Sequence, residues 1–163
     1  MAAALKHAPR RGRGMENRFT PLGGMGLPSA ARSREIIAMT QASFEIAFSA
    51  HPVGLKARVE GQGSLENTLA YWQAIVVELE ARPAPALLLI DETRGDPLPE
   101  QDWQQLVEAM KGKGLDGLRI AHVKPLGLQS VEYCELFALE AGMRARVFSS
   151  EDEAITWLRY GLS

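Results

Sequence analysis

The stretch that decides the fold is ALLLID at residues 86–91, which is followed by ETRGDP at residues 92–97. Five apolar residues in a row are too few for a helix; Pro83 and Pro85 precede them and a glycine–proline segment follows. A run bounded in this way predicts a strand that is buried on both faces, in the middle of a sheet with helices packed on it. The acidic end of the strand, Asp91, should then lie at the carboxyl edge of the sheet, where open α/β folds place their ligand sites.

Patterns before and after this strand predict the remaining elements. Period-2 alternation on both sides of the turn HPVG at residues 51–54 predicts an antiparallel hairpin, and apolar periodicity with caps such as Ser64 predicts four helices. The helices are expected at about residues 65–81, 99–111, 129–141 and 151–160, and two further strands at residues 118–123 and 144–148. The order β-β-α-β-α-β-α-β-α predicts an α/β fold. Its single mixed, mostly parallel sheet has about five strands and carries four helices, and only the first hairpin strand is antiparallel.

Composition limits the class of protein and its chemistry. The 163 residues are 46% apolar and 23% charged, which suits one globular domain with a tail, and no apolar run approaches the roughly 18 residues that a membrane span needs. Because Cys134 is the single cysteine, an intramolecular disulfide is impossible and a reducing, cytoplasmic setting is expected. The histidines lack metal-ligand spacing and no phosphate-binding glycine motif is present, so the sequence predicts no metal and no cofactor.

The N-terminal segment differs in charge from the rest of the chain. Residues 1–38 carry seven basic and two acidic side chains, whereas the remainder carries eleven basic and eighteen acidic ones. An acidic domain is a poor match for nucleic acid, whose binding rests on the neutralisation of phosphates. Glycine and proline without apolar periodicity predict a disordered basic tail at residues 1–42, ahead of the domain at residues 43–163, and the true start of the protein is expected at Met39.

The carboxyl ends of the parallel strands would gather seven polar side chains into a candidate site for a ligand or an anion. These are Asp91, Glu92, Thr93, Arg94, Lys124, Ser149 and Ser150. In a functional interpretation, Arg94 and Lys124 bind an anion. Asp91 or Glu92 would then be a base with a raised pKa. In the alternative interpretation, Arg94 pairs with a neighbouring carboxylate, Lys124 is solvated and the two serines only cap a helix.

The sequence carries no recognisable catalytic signature, so no catalytic residue is predicted. His122 shares a strand face with apolar residues and is predicted to be a hydrogen-bonded core or edge histidine. Cys134 is predicted to be an inert core thiol with no basic neighbour. Leu136 and Leu139 lie on the opposite side of the same helix, among glutamates, a pattern that can mark an interface. The alternative is that the fourth helix or a loop covers these leucines.

Three short patterns resemble the STAS-like family: G-x-G-S at residues 61–64, L-x-x-x-D at residues 87–91 and V-F-x5-A-x-x-W-L at residues 147–158. More narrowly, the chain is similar to the sporulation anti-sigma-factor-antagonist-like branch, also described as STAS/CRAL-TRIO-like. The resemblance implies a superhelix of β-α units with helices stacked on one sheet face. It also implies a protein-interaction switch, or a module that responds to lipids or nucleotides.

One departure from the family concerns regulation by phosphorylation. Anti-sigma-factor antagonists carry a phosphorylatable serine at the N-terminus of the helix after the central strand, where an added charge would change partner binding. Residues 91–100 of this chain contain no serine. Thr93 is their only hydroxyl, and it lies too early in the segment and beside acidic residues. A switch of that type is therefore not expected here.

Three functions follow as expectations. The first is a non-enzymatic STAS-like module that binds another protein or a second copy of itself. The second is a carrier or sensor of a lipid or other apolar small molecule, which would need an enclosed cavity of at least about 300 Å³ between helices and sheet. The third is an enzyme that uses the edge formed by Asp91, Glu92 and Arg94.

Overall fold

Six strands and four helices form the part of the chain that the computed structural model describes, which is residues 35–37, 43–127 and 132–161, with the backbone alone for 35–37 and 132. The strands are β1 Glu35–Ile37, β2 Phe44–His51, β3 Gly54–Gln62, β4 Ala86–Arg94, β5 Arg119–Val123 and β6 Arg144–Phe148. The helices are α1 Leu65–Ala81, α2 Glu100–Met110, α3 Glu132–Glu140 and α4 Glu151–Tyr160.

The strands pair in the order of the chain, from β1 at one edge to β6 at the other. β3, β4, β5 and β6 are mutually parallel, and β2 pairs antiparallel with both β1 and β3, so among the described strands only β2 runs against the others. The predicted α/β fold, with one mixed, mostly parallel sheet and four helices, is therefore confirmed.

One strand lies where the sequence predicts a disordered tail. Glu35–Ile37 pairs with β2, from Glu35 opposite Phe48 to Ile37 opposite Ile46, and adds a short sixth strand to the five expected. The prediction for residues 1–42 is wrong at these three positions. The other residues of that segment, including the expected start at Met39, lie outside the described residues.

β4 is enclosed on both faces, as its unbroken apolar run predicts. Leu87 and Leu89 pack into the core beneath α1, α2 and α3, while Leu88 and Ile90 pack beneath α4. Every residue from Ala86 to Asp91 is buried. Side chains alternate between the two faces of a strand, so a strand covered on both faces needs apolar residues at every position.

The helices are not all on one face of the sheet. Among the described helices, α1, α2 and α3 cover one face, and α4 covers the opposite face through Ala154 and Leu158. Glu151, the first residue of α4, also pairs with Lys56 of β3. The STAS-like resemblance implies that the helices stack on one face of the sheet. Three of the four described helices do so, and α4 does not.

The predicted helix boundaries rest on caps that the structure contains. The hydroxyl of Ser64 accepts a hydrogen bond from the Asn67 backbone N–H at 3.2 Å, and that of Ser150 accepts one from the Glu153 N–H at 3.4 Å. These bonds satisfy backbone donors that have no partner within the first turn of a helix. The beginning predicted for the third helix, residues 129–131, lies outside the described residues.

β4 is longer than predicted and extends beyond its neighbour β5. Its pairing with β5 ends at Ile90 opposite Val123, but its pairing with β3 continues to Arg94 opposite Gln62. The predicted end at residue 91 is wrong because β3 supplies a hydrogen-bonding partner for the polar residues as well. On the β5 side, Asp91 is the first residue beyond the shared ladder, which opens a space there.

Among the helices of the described ranges, none combines the length and the apolar character that crossing a membrane requires.

Because β4 is enclosed on both faces, we expect a large loss of stability when one of its buried side chains is shortened. Leu88→Ala removes a fully buried side chain beneath α4 and should lower the free energy of unfolding by about 2–5 kcal/mol. Urea denaturation followed by circular dichroism measures this change. Val77→Ala, at a side chain that is 63% exposed, is the control and should change it by less than about 0.5 kcal/mol. Equal effects of the two substitutions would contradict the two-sided burial.

Candidate functional site

A polar cluster lies at the carboxyl end of the sheet, beneath α1, α2 and α3. The alternation along β4 places Asp91 on the same face as Leu89, and the alternation along β5 places His122 on the same face as Ile120. Because Leu89 and His122 are register partners on adjacent strands, Asp91 and His122 become neighbours on that face. The sheet register therefore forms the cluster before any helix contributes to it.

Asp91 is the centre of the cluster. Its carboxylate is buried, with the whole residue only 2% exposed, and the described residues supply it with five donors. Oδ1 accepts from the Thr93 backbone N–H at 3.0 Å and the Thr93 hydroxyl at 2.6 Å. Oδ2 accepts from Tyr71 Oη at 3.3 Å, His122 Nε2 at 2.9 Å and Lys124 Nζ at 3.0 Å. The donors come from α1, β4 and the end of β5, so the carboxylate joins three parts of the fold.

These donors keep Asp91 ionised. Burial alone would raise the pKa of the carboxyl group, but the hydrogen bond from His122, the charge of Lys124 and the Thr93 hydrogen bond outweigh it and hold the pKa well below its usual value. The base with a raised pKa that the sequence interpretation assigned to Asp91 is therefore wrong. The neighbouring ammonium and hydrogen-bond donors favour the charged form.

His122 is a neutral link in a chain of hydrogen bonds. Burial lowers its pKa despite the hydrogen bond and charge of Asp91, which act in the opposite direction. A carboxylate only accepts, so Nε2 carries the hydrogen and Nδ1 is left as an acceptor, 3.8 Å from Cys134 Sγ. Burial raises the pKa of the Cys134 thiol to about 12, which agrees with the predicted inert core thiol. The prediction that no basic neighbour acts to lower this pKa is wrong, because the charge of Lys124 does so, but burial outweighs it.

Two tryptophans surround the His122 ring. Trp72 and Trp103 each present an edge-on contact to it, with ring centroids 6.4 Å away, and Lys124 Nζ lies 6.0 Å from the Trp103 ring centroid. The indole Nε1 atoms of both tryptophans are buried and have no hydrogen-bond partner among the described residues. Buried donors usually find a partner, so these two are exceptions within the core.

A cleft of about 210 Å³ opens above the cluster. We call it the β4 cleft. Its walls come from the ends of β3 and β4, the loop before α2, the helices α1 and α2, and the segment after β5. The lining residues are Gly63, Thr68, Tyr71, Asp91, Thr93, Arg94, Gly95, Asp96, Pro97, Leu98, Trp103, Lys124, Leu126 and Gly127.

A close backbone approach holds one wall of the β4 cleft. Gly95 has a φ of +133°, a conformation that other residues rarely adopt, and a Cβ placed on it would lie 2.8 Å from Gln62 Nε2 and 3.2 Å from the Gly63 carbonyl oxygen. Glycine at this position lets the chain leave β4 directly against the end of β3.

The structure brings together four of the seven predicted site residues. Asp91, Thr93, Arg94 and Lys124 all line the β4 cleft. Lys124 is not simply solvated, since it donates to Asp91, and the Arg94 side chain makes no ion pair with any part of the chain that the structure describes.

The other three predicted residues lie elsewhere. Glu92 alternates away from Asp91 along β4 and pairs with Arg58 of β3 at 3.1 Å. Ser150 caps α4, and Ser149 donates to Glu153 of α4 at 3.4 Å. The two serines follow β6, which β5 separates from β4, so their side chains serve the first turn of α4 and not the β4 cleft. Of the two interpretations offered by the sequence, the one in which the serines only serve the start of a helix is therefore correct for these residues.

Sequence reasoning missed Tyr71 and Trp103 as members of the cluster. Both lie on apolar faces of their helices, where the spacing of apolar residues predicts only that a side chain packs in the core. A phenol or an indole on a fully buried stripe does carry a signal, because each has one polar group that needs a partner. Its partner cannot be identified without knowing which strand lies beneath the helix.

A second feature is an exposed apolar side of α3. Cys134 and Ala138 face the core, and on the other side Leu136 is 50% and Leu139 61% exposed. Tyr133 continues the same side and stacks on Phe137 with ring centroids 6.3 Å apart. We call Tyr133, Leu136 and Leu139 the α3 surface. The expectation that α4 or a loop covers these leucines is not met within the described residues.

The apolar space between helices and sheet is nearly filled. The cavity lined by Trp72, Leu106, Met110 and Cys134 measures about 30 Å³, which is about one tenth of the roughly 300 Å³ at which ligand pockets begin. In the described ranges, no group of three histidine, cysteine, aspartate or glutamate side chains is placed to hold a metal ion.

No protein-family model matches the chain, and no curated protein matches it. The STAS-like resemblance therefore stays a prediction that rests on the quoted residues.

The cluster predicts a fall in stability as the pH decreases. The folded-state pKa of His122 lies below its usual 6.5, so the unfolded chain takes up a proton first and the free energy of unfolding falls below about pH 6.5, by at most about 1.4 kcal/mol per pH unit. The lowered pKa of Asp91 adds a second decline below about pH 4. Urea titrations between pH 8 and pH 3 measure both. His122→Gln should flatten the first decline.

His51 is the matched control for that measurement. Its pKa is also lowered, first by burial and then by Lys56, but its ring is only partly buried in the hairpin turn. His51→Gln should leave most of the slope between pH 6.5 and pH 5 in place. A slope that disappears with His51→Gln and persists with His122→Gln would contradict the assignment.

Removal of the Asp91 charge should be costly even at neutral pH. Asp91→Asn keeps the size of the side chain but leaves Lys124 without its counter-charge, and we expect the free energy of unfolding at pH 7 to fall by about 2–3 kcal/mol. Asp96→Asn, at an exposed residue of the same cleft, is the control and should stay within about 0.5 kcal/mol. A similar, small effect of both substitutions would show that the buried carboxylate does not hold these elements together.

Proposed function

We propose that this protein is a cytoplasmic, non-enzymatic STAS-like module that binds another protein, and that the α3 surface makes the contact. The single observation that carries the proposal is the exposure of Leu136 and Leu139 side by side on one helix. Contiguous apolar side chains on a surface mark interaction sites more often than isolated ones do. The sequential β-α succession, with strands in chain order, supports the STAS-like assignment.

The filled core supports protein binding over the carriage of an apolar ligand. A carrier would need an enclosed space of about 300 Å³ or more. The apolar cavity beneath α1, α2 and α3 offers about 30 Å³. A lipid tail would have to displace the close-packed side chains of the core, which is energetically unfavourable.

The state of the polar side chains supports a role without catalysis at the Asp91, Glu92 and Arg94 edge. The Asp91 carboxylate is fully engaged by donors, and Glu92 is paired with Arg58 on the other side of the strand. Cys134 and His122 are buried with pKa values shifted away from a reactive thiolate and a charged imidazole. A general base needs both access to its substrate and a pKa near the working pH.

The segment after β4 supports binding that does not depend on a phosphorylated serine. The Thr93 hydroxyl, the only one in residues 91–100, donates to Asp91 at 2.6 Å. A phosphate on Thr93 would remove this hydrogen bond and place negative charge beside a buried carboxylate, which is strongly unfavourable.

Charge favours a different protein over a second copy as the occupant of the α3 surface. The sequence of α3 contains three glutamates and no basic residue; Glu140 is exposed beside Leu139, whereas Glu135 accepts a hydrogen bond from the Val147 N–H of β6. In a symmetric dimer the same patch meets itself, so acidic residues would face acidic residues. The partner that fits is a protein with an apolar groove and a basic rim.

The double substitution Leu136→Ser/Leu139→Ser tests the proposal. Tagged wild-type protein and the variant are purified from the native host, and the proteins that accompany them are quantified by mass spectrometry. The partner is then purified and its affinity measured by calorimetry. We expect at least about a tenfold loss of affinity with the variant and a weaker wild-type affinity at higher salt.

The matched control is Val77→Ser, which changes an equally exposed apolar residue on α1. It should leave the affinity unchanged, and thermal melts should show that both variants remain folded. A partner retained equally by the double variant would overturn the role of the α3 surface. A wild-type dimer in light scattering that the double variant dissociates would identify a second copy as the occupant instead.

A further inference from the structure

We propose that the β4 cleft is a binding site for a small organic monocarboxylate with an apolar body, held by the Arg94 guanidinium and the Lys124 ammonium groups. This site is separate from the α3 surface, and the inference does not depend on the proposed protein partner.

Two cationic side chains have donors to offer in the cleft. Arg94 lines it, is exposed, and makes no ion pair or side-chain hydrogen bond within the described residues. Lys124 is 22% exposed and donates to Asp91, which leaves further ammonium hydrogens for a ligand. A planar guanidinium matches both oxygens of a carboxylate, and hydrogen bonds between charged groups are the stronger kind.

Asp91 fixes the position of Lys124 in advance. Its Oδ2 holds Nζ at 3.0 Å, and the Trp103 ring lies 6.0 Å from the same nitrogen. A cation that is already held in place loses less conformational entropy when a ligand binds. The buried carboxylate is therefore a positioning group for the site and does not itself contact the ligand.

The walls of the cleft fit an apolar body beside the carboxylate. Pro97, Leu98 and Leu126 line it together with the Trp103 ring. Trp103 also brings a buried indole N–H that has no acceptor in the described part of the chain. Buried donors normally have a partner, so a ligand oxygen that reaches this N–H would satisfy it.

Size and charge limit the ligand. A volume of about 210 Å³ lies below the roughly 300 Å³ at which pockets for drug-sized ligands begin, so a nucleotide does not fit. The charged side chains that line the cleft are two acidic and two basic ones, which are Asp91, Asp96, Arg94 and Lys124. A neutral lining accommodates a single negative charge at lower cost than the two charges of a phosphate.

Titration of the ¹⁵N-labelled full chain with sodium benzoate, at constant ionic strength, tests the inference. Trp103→Phe identifies which indole N–H signal belongs to Trp103. We expect that signal to shift and saturate, with a dissociation constant in the millimolar range for so small a ligand. Benzamide, which has the same shape without the charge, should cause no saturable shift, and inorganic phosphate should bind at least about tenfold more weakly than benzoate.

Arg94→Gln is the decisive variant, because Arg94 is exposed and its side chain contributes no bond to the described fold. It should weaken benzoate binding by about tenfold, while Arg144→Gln, at an exposed arginine of β6, should leave binding unchanged. The inference is overturned by the absence of a saturable shift with benzoate or by equal binding to the two variants. Binding of phosphate as tight as that of benzoate would overturn the assignment to a carboxylate.

Discussion

The structure depends on an ionised carboxylate that is almost completely buried. β4 is enclosed between two layers of helix, and its sixth residue is Asp91. A buried charge is tolerated only when it is paired and hydrogen-bonded, so donors must converge on this point. They come from α1, from β4 itself and from the end of β5. The position of α1 on the sheet and the course of the chain after β5 are therefore coupled to a single side chain.

The residues bonded to Asp91 fall into two groups, one that is buried in the core and one that lines the β4 cleft. On the inner side, the Asp91 carboxylate, the neutral His122 ring and the Cys134 thiol form a chain of hydrogen bonds. The rings of Trp72 and Trp103 pack against His122. On the outer side, Lys124 is held at the floor of a cleft whose rim carries Arg94. The groups that hold the carboxylate in place also occupy its lone pairs, which leaves little room for it to accept a proton from a substrate. A binding interpretation gains from the same bonds, since they preorganise a cation.

The extent of agreement between sequence and structure differs between backbone and side chains. The hairpin, α1, β6 and the caps at Ser64 and Ser150 follow from local patterns, because each depends on residues within one turn or one strand. Two details of the strands depend on pairing with neighbouring strands and could not be predicted locally. β4 continues to Arg94 because β3 pairs with it, and Glu35–Ile37 becomes a strand by pairing with β2. Isolated from those partners, neither segment has an apolar period that predicts a strand.

By itself, the sequence determined the α/β class, the enclosed central strand and the acidic residue at its end, because apolar periodicity and capping are short-range properties of the chain. Only the tertiary structure decided that Tyr71, His122 and Lys124 meet at Asp91, while Glu92, Ser149 and Ser150 turn away. The physical reason is that sheet register and helix docking bring together residues that are far apart in the chain. Local patterns place a residue on a face of its own element, but the long-range packing of the elements selects its partners.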